Sequence, residues 1–146
     1  MKRILLLLVI AGAVGAWFIS APRPAYDRAQ WQAVEQGGDA ERGKLAFYAG
    51  GCPSCHMTPG QEDRLKLGGG LELKSPFGSF YAPNISPHPK DGIGEWKVAD
   101  LANAMSSGVS PKGEHYYPAF PYTSYHLVTL GDVRDMMAFL RTLQPV

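Results

Sequence analysis

The run Cys52-Pro53-Ser54-Cys55-His56 constrains this chain more than any other stretch. Two thiols three residues apart, followed at once by an imidazole, form the C-x-x-C-H pattern to which a c-type haem is attached. Each thiol can form a thioether with one vinyl group of the macrocycle, and the adjacent His is then held where its imidazole can ligate the iron. These are the only two cysteines in the sequence. A zinc knuckle would want further Cys or His ligands at short spacing, and His88, His115 and His126 are scattered. The bland alternatives are a structural disulfide in an exported domain and a thioredoxin-like redox pair, but no strand–helix–strand pattern surrounds the motif.

At 146 residues the chain has room for one small domain plus a terminal segment. Once that segment is set aside, a core made by the chain alone is thin, and a large apolar macrocycle would fill its centre. The formal charge of +1, with no Lys/Arg cluster among aromatics, argues against a nucleic-acid partner. The 17 glycines and 12 prolines concentrate between Pro59 and Pro121, where interspersed aromatics point to long ordered loops rather than disorder.

Lys2-Arg3 precede an apolar run from Ile4 to Ile19, which ends before Ala21-Pro22-Arg23-Pro24. Positive charge ahead of a Leu-rich stretch keeps the N-terminus in the cytoplasm and sends the rest across the membrane. That direction suits the motif, because haem of this kind is attached outside the cytoplasm. As helix, the run reaches roughly 24–27 Å, slightly short of an average hydrocarbon core. Val14-Gly15-Ala16 resembles a cleavage site, yet Trp17-Phe18-Ile19 carry the apolar run past it. The expectation is an uncleaved anchor over residues 1–21, with a removed signal peptide as the alternative. Residues 22–38 are polar with Pro and Gly at their ends and read as a tether, with a short turn around Trp31 and no visible chemistry.

The domain itself is expected over residues 39–146. Asp39 can cap a helix from Ala40 to about Ala49, and Ala40, Gly43 and Phe47 share one face of it. A glycine there costs about 1 kcal/mol of helix propensity, which makes sense if another helix crosses closely. The partner is a closing helix capped by Thr129, with Val133, Met136, Met137 and Leu140 inward and Phe139 placed to meet Phe47 and Gly43. Val98, Leu101, Ala102 and Met105 mark a middle helix that Gly108 stops. Nothing reads as a run of strands, so the expected class is all-α: three helices, two of them crossing, with long Gly/Pro loops.

This arrangement resembles class I cytochrome c. It is closer still to the cytochrome subunits that accept electrons from membrane-associated alcohol and sugar dehydrogenases. The matching stretches are Leu67-Gly68-Gly69-Gly70, Ser75-Pro76-Phe77-Gly78, Phe80-Tyr81-Ala82-Pro83-Asn84-Ile85-Ser86-Pro87, Gly92-Ile93-Gly94-Glu95-Trp96, and Tyr117-Pro118-Ala119-Phe120-Pro121-Tyr122-Thr123-Ser124-Tyr125. Those subunits usually carry three such domains; with one C-x-x-C-H this chain looks like a stand-alone, membrane-tethered version with one covalent haem c.

The resemblance implies a sixth ligand from a Met-Pro in the loop before the last helix. Here Phe120 precedes Pro121, and a phenyl ring cannot bind iron. Met105, on the apolar face of the middle helix, is the leading replacement, although a Met at that spacing also serves as core filler; His126 or His115 as a second imidazole, or an open iron, are the alternatives. Met136 and Met137 read as core, and Met57 adjoins the proximal His. The carbonyl of Pro59, three residues past His56, is expected to accept the His Nδ1–H. Tyr81, Asn84, Trp96 and Tyr117 are expected to bond the propionates or to pack on the surrounding loops. Asn84-Ile85-Ser86 matches a glycosylation acceptor and reads as a chance match.

Three functions fit. The first is a carrier, not an enzyme: single electrons pass from a periplasmic or membrane dehydrogenase to a downstream cytochrome or terminal oxidase, on the periplasmic side of the bacterial inner membrane. No acid, base or nucleophile constellation competes with it. The second, motivated by Phe120, is a ligand-binding or catalytic haem protein with an open distal site, and rapid carbon monoxide binding would mark it. The third is a structural subunit of a respiratory complex, marked by a stoichiometric large partner after gentle extraction.

Overall fold

A computed structural model describes residues 2–26, 32 and 34–146. Helix α1 (Lys2–Ser20) is apolar along its length and buries none of its residues. At 19 residues it extends about 28 Å, and by length and composition it can cross a membrane. The expected turn at Trp31 lies outside the described residues.

Helix α2 (Ala40–Ala49) starts as the sequence predicts. The Asp39 side chain accepts from the backbone N–H groups of Glu41 and Arg42 at 2.9 and 3.0 Å, satisfying two donors that the first turn leaves free. Helix α3 (Cys52–His56) is the single turn that carries the motif. Helix α4 (Val98–Ser107) ends at Gly108, whose φ of 63° is the left-handed stop expected of a glycine. A 3₁₀ turn (Tyr122–Tyr125) precedes helix α5 (Leu130–Leu140), where Thr129 and Asp132 cap one another reciprocally.

Helices α2 and α5 cross where Gly43 has no side chain, and Phe47 packs against Phe139 with ring centroids 5.3 Å apart. The buried Asp135 of α5 accepts from the Asp39 N–H at 2.9 Å and from Arg42 Nε at 2.8 Å, so one carboxylate ties the start of α2 to α5. Phe47, Val98, Met137 and Leu140 form the centre of the core, joined by Leu67 from the long loop.

A short antiparallel hairpin departs from the strand-free expectation: β1 (Glu72–Ser75) pairs with β2 (Gly78–Tyr81), Leu73 opposite Phe80. Each strand is four residues, too short for the alternation to stand out. Such a hairpin is marginal alone; here Phe80 stacks on Tyr117, ring centroids 3.7 Å apart and planes within 9°. The segment expected to be a bare tether also engages the domain. The Tyr26 N–H donates to Asn103 Oδ1 at 3.1 Å, and a Glu35 carboxylate oxygen accepts from the Val98 N–H.

Candidate haem-binding site

The motif is positioned by the two glycines before it. Gly50 ends α2, and Gly51 takes φ 70°, a left-handed turn that costs glycine nothing and swings the chain into α3. Pro53 sits in the first turn, where its missing N–H leaves no bond unmade. Cys52 and Cys55, three residues apart on one helical turn, share a face. Both line a cavity of about 400 Å³, together with His56. No disulfide joins the thiols.

The orientation of His56 is set from across the chain. Its Nδ1–H donates to the carbonyl of Pro83 at 2.8 Å, which leaves Nε2 as the nitrogen free for a metal. Pro59 does not take this role, correcting the sequence expectation. It is exposed, does not line the cavity, and leads into a turn at Gly60, after which the Thr58 N–H pairs with the Lys66 carbonyl. The glycine run explains why Pro83 wins. The Gly69 N–H donates to the His56 carbonyl at 2.9 Å and the Gly70 N–H to that of Ala82 at 2.8 Å, so residues 82–83 run beside the segment returning from His56. A Cβ on Gly69 would lie 2.3 Å from the Ala82 oxygen, and only a residue without one permits that approach.

Three walls complete the cavity. The hairpin contributes Leu73, Phe80 and Tyr81; α4 contributes Leu101, Ala104 and Met105; the loop after α4 contributes Tyr116, Tyr117, Ala119, Phe120 and Pro121. Trp96, Tyr125 and Met136 also line it. Of the sequence candidates, Cys52, Cys55, His56, Tyr81, Trp96, Tyr117 and Met105 therefore come together, and Asn84 does not. The Asn84 side chain donates to the Val146 carbonyl at 2.6 Å and accepts from the Ser86 N–H at 2.8 Å, so it is a loop clasp. His115 and His126 are spent elsewhere, on the carbonyls of Ser20 (2.9 Å) and Thr123 (3.0 Å). Met136, expected in the core, is 2% exposed and also forms wall. Phe80, Tyr116 and Tyr125 are wall residues that sequence reasoning does not single out, although the aromatic density around Phe80 and Tyr116–Tyr125 is the available signal.

The lining of the cavity is largely apolar and aromatic. No Asp, Glu, Lys or Arg lines it among the described residues. Burial pushes the Cys52 thiol up to about 11 and pushes the His56 imidazole below its usual value, against the smaller opposing effect of the Pro83 carbonyl. Neutral imidazole is the ligating form. Among the described residues no cluster of three His, Cys, Asp or Glu could hold a bare ion. Iron at this point would need its equatorial ligands from a macrocycle. Two thiols on one face, an oriented imidazole and apolar walls fit haem c, and the volume falls in the range of about 300–1,000 Å³ usual for cofactor sites.

Comparison with known proteins agrees with this geometry. A family model described as cytochrome c matches residues 40–144. A diheme cytochrome c-type protein of Cereibacter sphaeroides is 50% identical over 143 residues, covering 97% of this chain and 47% of that protein. The gluconate 2-dehydrogenase cytochrome c subunit of Pantoea cypripedii is 36% identical over 117 residues, 78% of this chain and 26% of its own. The cytochrome c subunit of the quinone-dependent alcohol dehydrogenase of Gluconobacter oxydans is 36% identical over 108 residues, 73% and 22% respectively. The chain thus spans less than half the length of each of these relatives.

Proposed function

The chain belongs to the cytochrome c family, and on that premise we propose that it carries single electrons on one covalently held haem c. The observation that carries this reading is the convergence of Cys52, Cys55 and His56 on one apolar cavity that holds no charged side chain among the described residues. Bound there, haem iron supplies a one-electron couple.

The chain's own residues do the rest. Cys52 and Cys55 would hold the macrocycle through thioethers, and His56 would ligate through Nε2 while the Pro83 carbonyl fixes its ring and strengthens its donation. Met105 is the proposed sixth ligand, because it is 5% exposed and its wall is shared with the loop bearing Phe120. Tyr81, Trp96 and Tyr117 pack around the cofactor. Apolar walls disfavour added charge at the oxidised centre and so raise its potential. No Asp, Glu, Lys or Arg faces the cavity among the described residues, so electron exchange is the chemistry this reading assigns to it.

The donor in this reading is a dehydrogenase, supported by relatives named as dehydrogenase cytochrome subunits. The acceptor is a downstream cytochrome or terminal oxidase, and the site of action is the periplasmic face of the inner membrane, with α1 as anchor. One haem is proposed for this sequence because it holds one attachment motif, whereas the diheme relative is about twice as long. Phe120 on the cavity wall favours one second reading, a haem protein that binds small ligands.

Protein matured in a host competent for haem attachment tests the proposal. Intact mass should show one haem per chain, and a redox titration should follow a single one-electron step in a low-spin species that ignores carbon monoxide. The bare polypeptide mass would overturn haem attachment, and rapid carbon monoxide binding would favour the second reading.

A further inference from the structure

We propose that the described residues 21–26 and Glu35, bound to α4, strap the haem domain to the lipid surface in one orientation, with the loop Val109–Tyr116 against the headgroups. The inference rests on the anchor reading of α1 and goes beyond it.

Each end of the segment is fastened by a bond that the domain needs. Asn103 is 5% exposed on α4, and a buried amide oxygen left without a partner costs about 1–3 kcal/mol. Its partner is the backbone N–H of Tyr26 at 3.1 Å. The N-cap of α4 is Lys97, whose side chain has no acceptor to offer the first-turn donors. Glu35 supplies the acceptor instead, at 2.5 Å from the Val98 nitrogen, and its second oxygen lies 3.7 Å from Arg141 Nη2. The Tyr26 and Val34 side chains pack against the core beside these bonds.

The membrane end of the strap is also fixed. The last carbonyls of a helix need partners. Here His115 Nε2–H donates to the Ser20 carbonyl at 2.9 Å and Arg23 to that of Phe18 at 3.2 Å. Trp17 and Phe18 make an edge-to-face pair at 5.1 Å in the last turn of α1, where aromatic side chains suit the headgroup level. Even with the His115 bond broken, the six residues after Ser20, up to Tyr26, reach at most about 22 Å, so the domain stays close to the membrane.

The loop beside that end therefore meets the lipid surface, with Lys112 available to phosphates and Glu114 beside it. Tyr116 and Tyr117, at the end of the loop, line the cavity. The side of the cavity they form is held near the membrane, which fits a redox partner embedded in or lying on the same bilayer rather than one diffusing freely.

The test uses the full haem-loaded chain in nanodiscs of phosphatidylcholine and phosphatidylglycerol, spin-labelled at Glu114→Cys; the thioether sulfurs of Cys52 and Cys55 take no label. The expected label is shielded several-fold from an aqueous nickel chelate and accessible to membrane-dissolved oxygen. In a Glu35→Ala/Asn103→Ala/His115→Ala background, which removes the acceptors for the Val98 and Tyr26 N–H groups and the donor to Ser20, and with an unchanged haem spectrum, the shielding is expected to fall. Full aqueous accessibility in a disc-bound chain with the intact strap would overturn the orientation alone. A chain that leaves the disc, with a mass lacking residues 2–20, would overturn the anchor reading as well.

Discussion

Gly43 of α2 faces the carbonyl oxygen of Asp135 of α5 so closely that a Cβ built on the glycine would lie 1.8 Å from it. Two effects of Gly43→Ala therefore oppose each other. Helix propensity favours alanine by up to about 1 kcal/mol. Overpacking against a backbone that cannot yield without separating the helices costs about 1–3 kcal/mol or more. The steric effect should win, lowering the guanidinium midpoint of the haem-loaded protein; an unchanged or raised midpoint would show that the crossing is looser than the geometry states.

Met105→Ala should turn the ferric iron high-spin, let the ferrous form bind carbon monoxide and lower the reduction potential. Met136→Ala makes the contrast, since both side chains line the cavity. That substitution should cost about 2–5 kcal/mol of stability while the spectrum stays low-spin. If the two spectra behave the other way round, Met136 is the ligand.

The Asp135 carboxyl is held below the usual carboxylate range, first by the Asp39 N–H and then by the Arg42 guanidinium, and the Thr129 hydroxyl does the same for Asp132. A group depressed in the folded state contributes stability above its unfolded value, near 4, and loses it as pH falls through the folded value. The denaturation midpoint should therefore start to drop as pH falls below about 5 and continue dropping until the lowered folded values are passed. Asp135→Asn should flatten that dependence without abolishing it, because Asp132 remains. Identical slopes for the two proteins would refute the assignment.

Tyr125 reaches from the 3₁₀ turn to the junction ahead of the attachment motif, its hydroxyl donating to the Gly50 carbonyl at 3.1 Å. Tyr125→Phe keeps the ring against Phe120 and removes only that bond, so a loss of about 0.5–1.5 kcal/mol is expected with the haem spectrum preserved. Loss of haem incorporation in this variant would mean that the bond is needed to present Cys52.

Local signals are legible where the chemistry is local. The Asp39 and Thr129 caps, the Gly108 stop and the inward faces that carry Gly43, Phe47 and Phe139 follow from spacing, because caps and helix faces depend on residues within a turn or two of one another. The hairpin does not, since its stability comes from Phe80 stacking on Tyr117, a residue 37 positions later in the chain.

By itself the sequence determined that this chain is built around C-x-x-C-H, that helices start after Asp39 and Thr129 and one stops at Gly108, and that an apolar segment precedes the domain. Only the tertiary structure decided which carbonyl orients His56, which side chains wall the cavity, and that residues 26 and 35 are bound to α4. The reason is separation along the chain. Pro83 stands 27 positions from His56, and Tyr26 stands 77 from Asn103. A carbonyl or an N–H group carries no mark in the sequence of the distant partner that folding brings to it.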